Sequence, residues 1–178
     1  MTSTPTLSRD MQLAEYNFGT LAYGWEDPRT ADFANGLDRV YAIAESAEGY
    51  VWRMTDEDAG RDGALESDLS DEDRAQLNHP NIAHSLSVWT SVEALEHFVW
   101  NTVHRQFYAR KAEWYAAKGN GNLVLWWVPA GSHPTAAEGM SRWRHRESHG
   151  DSDHAFGWSH LKDAQLWRTK ACGSVAAE

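Results

Sequence analysis

The amino-acid sequence predicts an α+β fold of the ferredoxin-like type, with the element order βαββαβ followed by an extra helix and an extra strand. Two observations predict this order. Segments in which polar and apolar residues alternate, as in strands, take turns with segments in which apolar residues recur every three or four positions, as in helices. In addition, residues 123–128 (LVLWWV) are apolar at every position, which favours a strand in a sheet that is covered on both faces.

The first half of the chain supplies two strands and a helix. Residues 11–23 alternate over their whole length and predict the first strand. Thr30 is a suitable N-cap for a helix that ends before Gly49, and residues 50–54 form a short second strand. Residues 55–81 are rich in Asp, Glu, Gly and Ser, so we expect a long solvated loop, in which a turn of surface helix can start at Ser70, and which either is disordered or acts as a mobile lid near a ligand cavity.

The second half completes the sheet. We expect a third strand at residues 82–89 and one long helix at residues 91–115. The apolar residues 123–128 form the fourth strand. A further helix follows at residues 135–149, and residues 155–158 are expected to form a last edge strand.

Length and composition bound the function. One domain at residues 11–160 accounts for these elements, with a flexible arm at residues 1–10 and an extension at residues 161–178. The formal net charge is -10 and the basic residues are scattered, which argues against a nucleic acid or a membrane as partner. The single cysteine, Cys172, excludes an internal disulfide framework, and the first residues do not resemble a signal peptide, so a cytoplasmic location is expected.

The apolar strands also predict a homodimer. In a ferredoxin-like fold, two helices cover one face of the sheet and leave the other face free. Because residues 82–89 and 123–128 are apolar on both sides, we expect the free faces of two copies to pack together into a homodimeric α+β barrel.

The predicted helix at residues 91–115 carries the strongest candidate for chemistry. His104 lies at the edge of its apolar arc, between Trp100 and Tyr108 at helical spacing. An imidazole in this position is either a catalytic or ligand-binding group or a hydrogen-bonded core residue.

Other motifs are weaker. His145 and His149, four residues apart on the predicted last helix, are candidates for a metal site, and the alternative is a charged, solvated helix end. The sequence contains no Gly-rich phosphate loop, no GxSxG and no CxxC, so nucleotide cofactors and acyl-serine chemistry are disfavoured.

Five separated motifs carry a family resemblance, in this order: LAEYNFGTL, LDRVYAIAE, GYVWRM, SVWTSVEALEHFVWNTVHRQFYARKAEWY and LWWVPAGSHPT. Over about residues 11–156 they resemble the family catalogued as domain of unknown function 3291, a branch of the dimeric α/β-barrel superfamily. Its wider relatives include antibiotic-biosynthesis and haem-degrading monooxygenases, chlorite dismutases and muconolactone isomerases. The resemblance implies that ligands lie between the sheet and the helix after the third strand. Haem-degrading members have an Asn on the first strand and a His on this helix, in places comparable to Asn17 and His104, whereas Tyr41 stands where the family pattern has Asn.

These observations lead us to expect an enzyme of secondary metabolism that binds an apolar, aromatic small molecule. No cofactor is favoured. His104 would be the base, and Tyr108 and Asn17 would stabilise a developing oxyanion. The cavity would be lined by aromatic side chains, namely Trp52, Trp100, Trp127 and Tyr41. The reaction would be that of a cofactor-free monooxygenase or of a proton-transfer isomerase or cyclase. The alternatives are a haem protein with His104 as axial ligand and a non-catalytic ligand-binding protein.

Overall fold

A computed structural model describes residues 10–59, 69–102, 104–116 and 122–161 of the chain. Within them, four strands form one antiparallel sheet in the order β2-β3-β1-β4. The strands are β1 (Met11–Thr20), β2 (Tyr50–Arg53), β3 (Ile82–Trp89) and β4 (Asn122–Pro129). The predicted α+β fold with an antiparallel sheet is confirmed, and the first and third strands are central, as in ferredoxin-like sheets. The predicted arm and C-terminal extension lie outside the described residues, apart from Asp10 and Leu161.

Helices connect and follow the strands. They are α1 (Ala31–Ser46), α2 (Asp56–Ala59), α3 (Asp71–Leu77), α4 (Val92–Asn101), α5 (His104–Ala109), α6 (Lys111–Trp114) and α7 (Ala136–His149), and a 3-10 turn follows at Trp158–His160. Ser70, Ser91 and Thr135 cap α3, α4 and α7, each accepting a backbone N–H three residues further on. Thr30 precedes α1 as predicted, but its side chain makes no capping hydrogen bond. In the described part of the chain, no helix is long and apolar enough to cross a membrane.

One face of the sheet is covered by α1 and α4, and we call it the α4 face. Leu13 of β1 points to this face, where it lies beside Trp89 of β3 and Trp127 of β4. The buried residues on this side include Leu13, Val40, Ala44, Trp89, Val92, Leu95, Phe98 and Leu125. Two helices on one face are what the ferredoxin-like order requires.

The opposite face, which we call the α7 face, is covered by α3 and α7 of the same chain. Tyr16 touches α7 at Gly139, where an added Cβ would lie only 2.5 Å from Cγ of Tyr16. The buried residues here include Ala14, Tyr16, Phe18, Leu77, Leu86, Val88, Val124, Trp126, Ala137 and Met140. The two helices therefore explain strands that are apolar on both faces without a second chain. The physical reason given for the homodimeric barrel therefore no longer holds, and the dimer itself stays a prediction.

The prediction of one long helix at residues 91–115 is wrong. Thr102 is extended, with φ -117° and ψ -174°, and separates α4 from α5. Its hydroxyl donates to the carbonyl of Phe98 at 2.6 Å and accepts the N–H of His104 at 3.2 Å. A short polar side chain thus takes the place of helical backbone partners, a competition that the spacing of apolar residues does not reveal.

The segment predicted as a solvated loop, residues 55–81, contains α2 and α3, and its residues 60–68 lie outside the described part. α3 begins directly after its N-cap Ser70, where the sequence offers the start of a surface helix. Leu77 packs into the core of the α7 face, and the carboxylate of Asp73 forms an ion pair with Arg144 of α7. The Asp73 side chain is only 5% exposed, and Nε of Arg144 donates to its Oδ1 at 2.9 Å. α3 is therefore fixed on the opposite side of the sheet from α4, which contradicts the lid prediction for this part of the segment.

In place of the predicted edge strand at residues 155–158, one bridge joins this segment to the sheet and another joins Ala155 to Ser152. Phe156 and Leu125 of β4 exchange two backbone hydrogen bonds, of 2.8 and 2.9 Å. The chain then turns into the 3-10 segment. The bridge still places Phe156 in the core of the α4 face, beside Trp127.

The ion pair between α3 and α7 gives a first testable prediction. Arg144→Gln leaves the buried Asp73 carboxylate without its cation, so we expect the free energy of unfolding to fall by about 1–3 kcal/mol. Denaturant unfolding measures the loss. Arg29→Gln, which removes an exposed ion pair with Asp27, is the control and should change stability little. Equal effects of the two substitutions would contradict the anchoring role of Arg144.

Candidate functional site

Polar side chains form a row across the middle of the α4 face. Alternation along β1 places Glu15 and Asn17 on this face, between the apolar Leu13 and Leu21. The β1–β3 register sets Glu15 opposite Ser87 and Asn17 opposite Ser85. We call Glu15, Asn17, Ser85 and Ser87 the polar row. It lies where a sheet covered by helices normally carries apolar residues.

The carboxyl of Glu15 is the centre of the polar row. The residue is 7% exposed. Nδ2 of Asn17 donates to its Oε1 at 2.6 Å, and the hydroxyl of Ser87 donates to its Oε2 at 3.2 Å. Burial raises the pKa of Glu15 to about 7, and the two hydrogen bonds oppose this shift. Among the described residues no Lys, Arg or His forms an ion pair with this carboxyl, so it exchanges a proton near neutral pH.

Neighbouring groups fix the direction of these hydrogen bonds. The indole Nε1 of Trp89 donates to Oγ of Ser87 at 2.9 Å, so the Ser87 hydroxyl proton is free to point at Glu15. Asn17 uses its amide Nδ2 twice, because it also donates to Oγ of Ser85 at 2.7 Å. Within the described residues, the side-chain oxygen Oδ1 of Asn17 accepts no hydrogen bond and the Ser85 hydroxyl donates none, so both can bind a further partner.

Arg53 and Tyr41 lie at the β2 end of the polar row. Arg53 pairs with Ser87 in the β2–β3 register, its guanidinium lies 4.2 Å from the centre of the Tyr41 ring, and its Nε donates to Glu45 at 2.7 Å. Burial raises the pKa of the Tyr41 phenol, and burial raises that of Tyr115 to about 12. Both phenols therefore stay protonated at neutral pH and can donate a hydrogen bond.

His104, the predicted base, lies at the start of α5. Its ring packs on Phe98 with 5.1 Å between ring centres, and its Nδ1 lies 3.4 Å from the carbonyl of Val99. Burial lowers the pKa of His104, so the imidazole is neutral at pH 7. No hydrogen bond in the described part of the chain joins it to Glu15 or Asn17. Tyr108 belongs to α5, but its side chain lies outside the described residues.

The structure does not bring the predicted tryptophans together. Trp127 lies on the α4 face, near one end of β1. Trp52 lies on the α7 face and stacks on His133 at 4.7 Å, because the β2–β3 register shifts between Tyr50 and Trp52. Trp100 lines an open groove at the end of α4. One cavity walled by all three is therefore ruled out by their positions.

The two histidines that the sequence offers as candidate metal ligands lie side by side. His145 and His149 stack with 4.4 Å between ring centres, and His154 meets the His145 ring edge-on at 4.7 Å. Nδ1 of His149 is 3.0 Å from the backbone carbonyl of His145. Among the residues that the structure describes, no group of three or more His, Cys, Asp or Glu side chains has a geometry suited to a metal ion.

Glu15 is the group that the sequence-based site prediction missed. A usable signal was present, since alternation already placed Glu15 between Leu13 and Asn17 on one face of a strand. A carboxyl on a strand that is covered on both faces has to be buried. Its near-neutral pKa follows from that burial, which only the packing of α1 and α4 establishes.

The raised pKa makes stability depend on pH in a defined direction. The folded chain keeps the Glu15 proton up to about pH 7, whereas a solvated Glu loses it near 4.5, so the free energy of unfolding falls as the pH rises between these values. Glu15→Gln removes this dependence of stability on pH. Relative to the wild type, the variant should therefore gain about 3 kcal/mol of stability across this range, measured by denaturant unfolding. Exposed Glu48→Gln is the matched control, and a parallel response of both variants would refute the burial argument.

Comparison with known proteins adds a family but no activity. No curated protein matches the chain. A solved structure that is similar to it is described as "Crystal structure of NE2512 protein of unknown function from Nitrosomonas europaea", with a TM-score of 0.46, 12% sequence identity, and coverage of 71% of this chain and 98% of that chain. The match to a family model covers more of the chain. Residues 12–172 match the family described as "Domain of unknown function (DUF3291)", and the chain belongs to that family.

Proposed function

We propose that this protein is a small-molecule enzyme that removes a proton from an apolar, aromatic metabolite, with the Glu15 carboxylate as general base. The observation that carries the proposal is a buried carboxyl that receives hydrogen bonds only from neutral donors of the described residues. Its pKa of about 7 supports the role, because a general base works best when its pKa is near the working pH.

The neighbouring groups supply what a proton abstraction needs besides a base. Negative charge develops on the substrate oxygen as the proton leaves, and protonated donors in a dry site stabilise it. The Ser85 hydroxyl is one such donor beside Asn17, and the Tyr41 phenol at the β2 end of the polar row is another. Trp127 would provide an apolar wall on the same face. These groups all come from one chain, so the proposal does not depend on a dimer.

The same base serves two reaction types. If the carbanion is reprotonated at another atom, the enzyme is an isomerase, and if the carbanion attacks a carbonyl carbon of the same molecule and the resulting alkoxide takes up the proton, it is a cyclase. If the carbanion instead binds O₂ to give a peroxide, and the O–O bond breaks with loss of water to leave a new carbonyl, the substrate has supplied both electrons and the enzyme is a cofactor-free monooxygenase. Oxygen consumption during turnover separates them, and both require Glu15 to be ionised.

Deuterium exchange tests the proposal without knowledge of the natural substrate. The protein is incubated in D₂O with a panel of aromatic 1,3-dicarbonyl compounds, whose C–H between the carbonyls is acidic, and exchange at that carbon is followed by NMR. We expect Glu15→Gln to slow catalysed exchange by about 10²–10⁴-fold. The wild-type rate should rise with pH and level off above about 7.

Exposed Glu48→Gln is the control and should exchange at the wild-type rate. Two results would overturn the proposal. One is equal exchange by the wild type and Glu15→Gln, and the other is wild-type exchange that does not exceed the buffer background with any compound of the panel.

Haem binding through His104 is the second candidate function. The observation that favours it is the position of Nδ1 beside the Val99 carbonyl, because an imidazole that donates from Nδ1 to a backbone carbonyl presents Nε2 to a metal. A haem held there would supply oxidation chemistry. The imidazole is neutral, as a ligand must be, since burial lowers its pKa.

Titration of the purified protein with haemin tests this candidate. It predicts a shifted Soret band for the wild type and loss of that shift in His104→Ala. His97→Ala, at an exposed position of α4, should behave like the wild type. An unshifted Soret band in the wild type would eliminate the haem function and leave the Glu15 proposal untouched.

A further inference from the structure

An open groove lies on the surface where α4 gives way to α5. Its volume is about 510 Å³, within the range of sites for small organic molecules. The residues that line it include two large side chains, the indole of Trp100 and the guanidinium of Arg105. The others are the carboxamides of Asn101 and Gln106, the hydroxyl of Thr102 and the methyl group of Ala109. Thr102, whose extended backbone interrupts the helix, is one of the groove's lining residues.

Arg105 is the charged group of this groove. Seven arginines of the described residues form ion pairs with carboxylates, whereas exposed Arg105 has no such partner there. None of the described residues that line the groove is acidic. In a chain with a formal charge of -10, a free guanidinium in a cavity without acids is a local site of positive charge that attracts anions.

The remaining lining groups narrow the class of anion. A phosphate site typically gathers several cations or backbone N–H groups, and this groove has one guanidinium. A carboxylate matches one guanidinium, which can bind it through two parallel hydrogen bonds. An indole wall favours a flat apolar body, and the amide of Gln106 can bind a polar substituent. We infer that this groove binds a planar aromatic carboxylate, held by Arg105 and packed against Trp100.

The site is separate from the polar row. None of the six lining residues is a hydrogen-bond partner of Glu15, Asn17, Ser85 or Ser87. The inference therefore does not rest on the proposed proton-transfer function, and either can fail alone.

Isothermal titration calorimetry with 2-naphthoate tests the inference. The wild type should bind this probe, and Arg105→Gln should weaken binding roughly 10- to 100-fold, the range of a hydrogen bond to a charged group. Arg105→Lys keeps the charge but loses the planar fork, so its affinity should lie between the two. Arg39→Gln is the matched control, because Arg39 is exposed on α1 and also has no ion-pair partner among the described residues.

A neutral analogue, 2-naphthalenemethanol, should bind the wild type more weakly than the carboxylate does. The inference is overturned if the Kd of the wild type for 2-naphthoate is above about 1 mM, because so weak an affinity leaves little specific interaction. It is also overturned if Arg105→Gln and Arg39→Gln bind the probe equally. Arg105 is exposed, so its replacement should leave the melting temperature unchanged, and any loss of affinity then reports on binding.

Discussion

The burial of β1 is the constraint on which the rest of the structure depends. The strand is hydrogen-bonded along both edges, to β3 and β4, and packed on both faces, so that Leu13, Ala14 and Tyr16 have no exposed surface. Water cannot satisfy a polar side chain in such a strand. Glu15 and Asn17 therefore bind each other and two serines of β3, and the carboxyl is held in a form that loses its proton only near neutral pH. The same packing that stabilises the sheet thus creates its unusual acid.

The parts of the fold that the sequence predicted are those governed by local interactions. β3 was predicted with its bounds and β1 and β4 nearly so, since alternation and a continuous apolar run both depend only on neighbouring residues. Thr135 and the end of α7 were predicted for the same reason, because a cap and the helix that it begins lie within a few positions of each other. The α+β class followed from the order of these elements.

The parts that the sequence did not predict depend on contacts between distant residues. Spacing alone could not show that Arg144 would pair with Asp73 and hold an acidic segment on the α7 face. The register shift in β2 moved Trp52 away from the face that Asn17 occupies, and no period-2 pattern contains that information. The candidate site changed accordingly. Asn17 kept its place, while Glu15 took the central position that had been assigned to His104.

The position of α7 has a consequence for synthesis of the chain on the ribosome. β1 is made first, but α7, which covers Tyr16 from the other side, is among the last of the described elements to emerge. Until then, the aromatic side chains Tyr16, Phe18 and Trp126 lack the helix that later buries them. Pairing of β1 with β4 also joins residues more than a hundred positions apart, a topology that folds slowly. The nascent chain therefore exposes an aggregation-prone apolar sheet face for longer than a fold closed by local contacts would. A chaperone would be of most use at this stage.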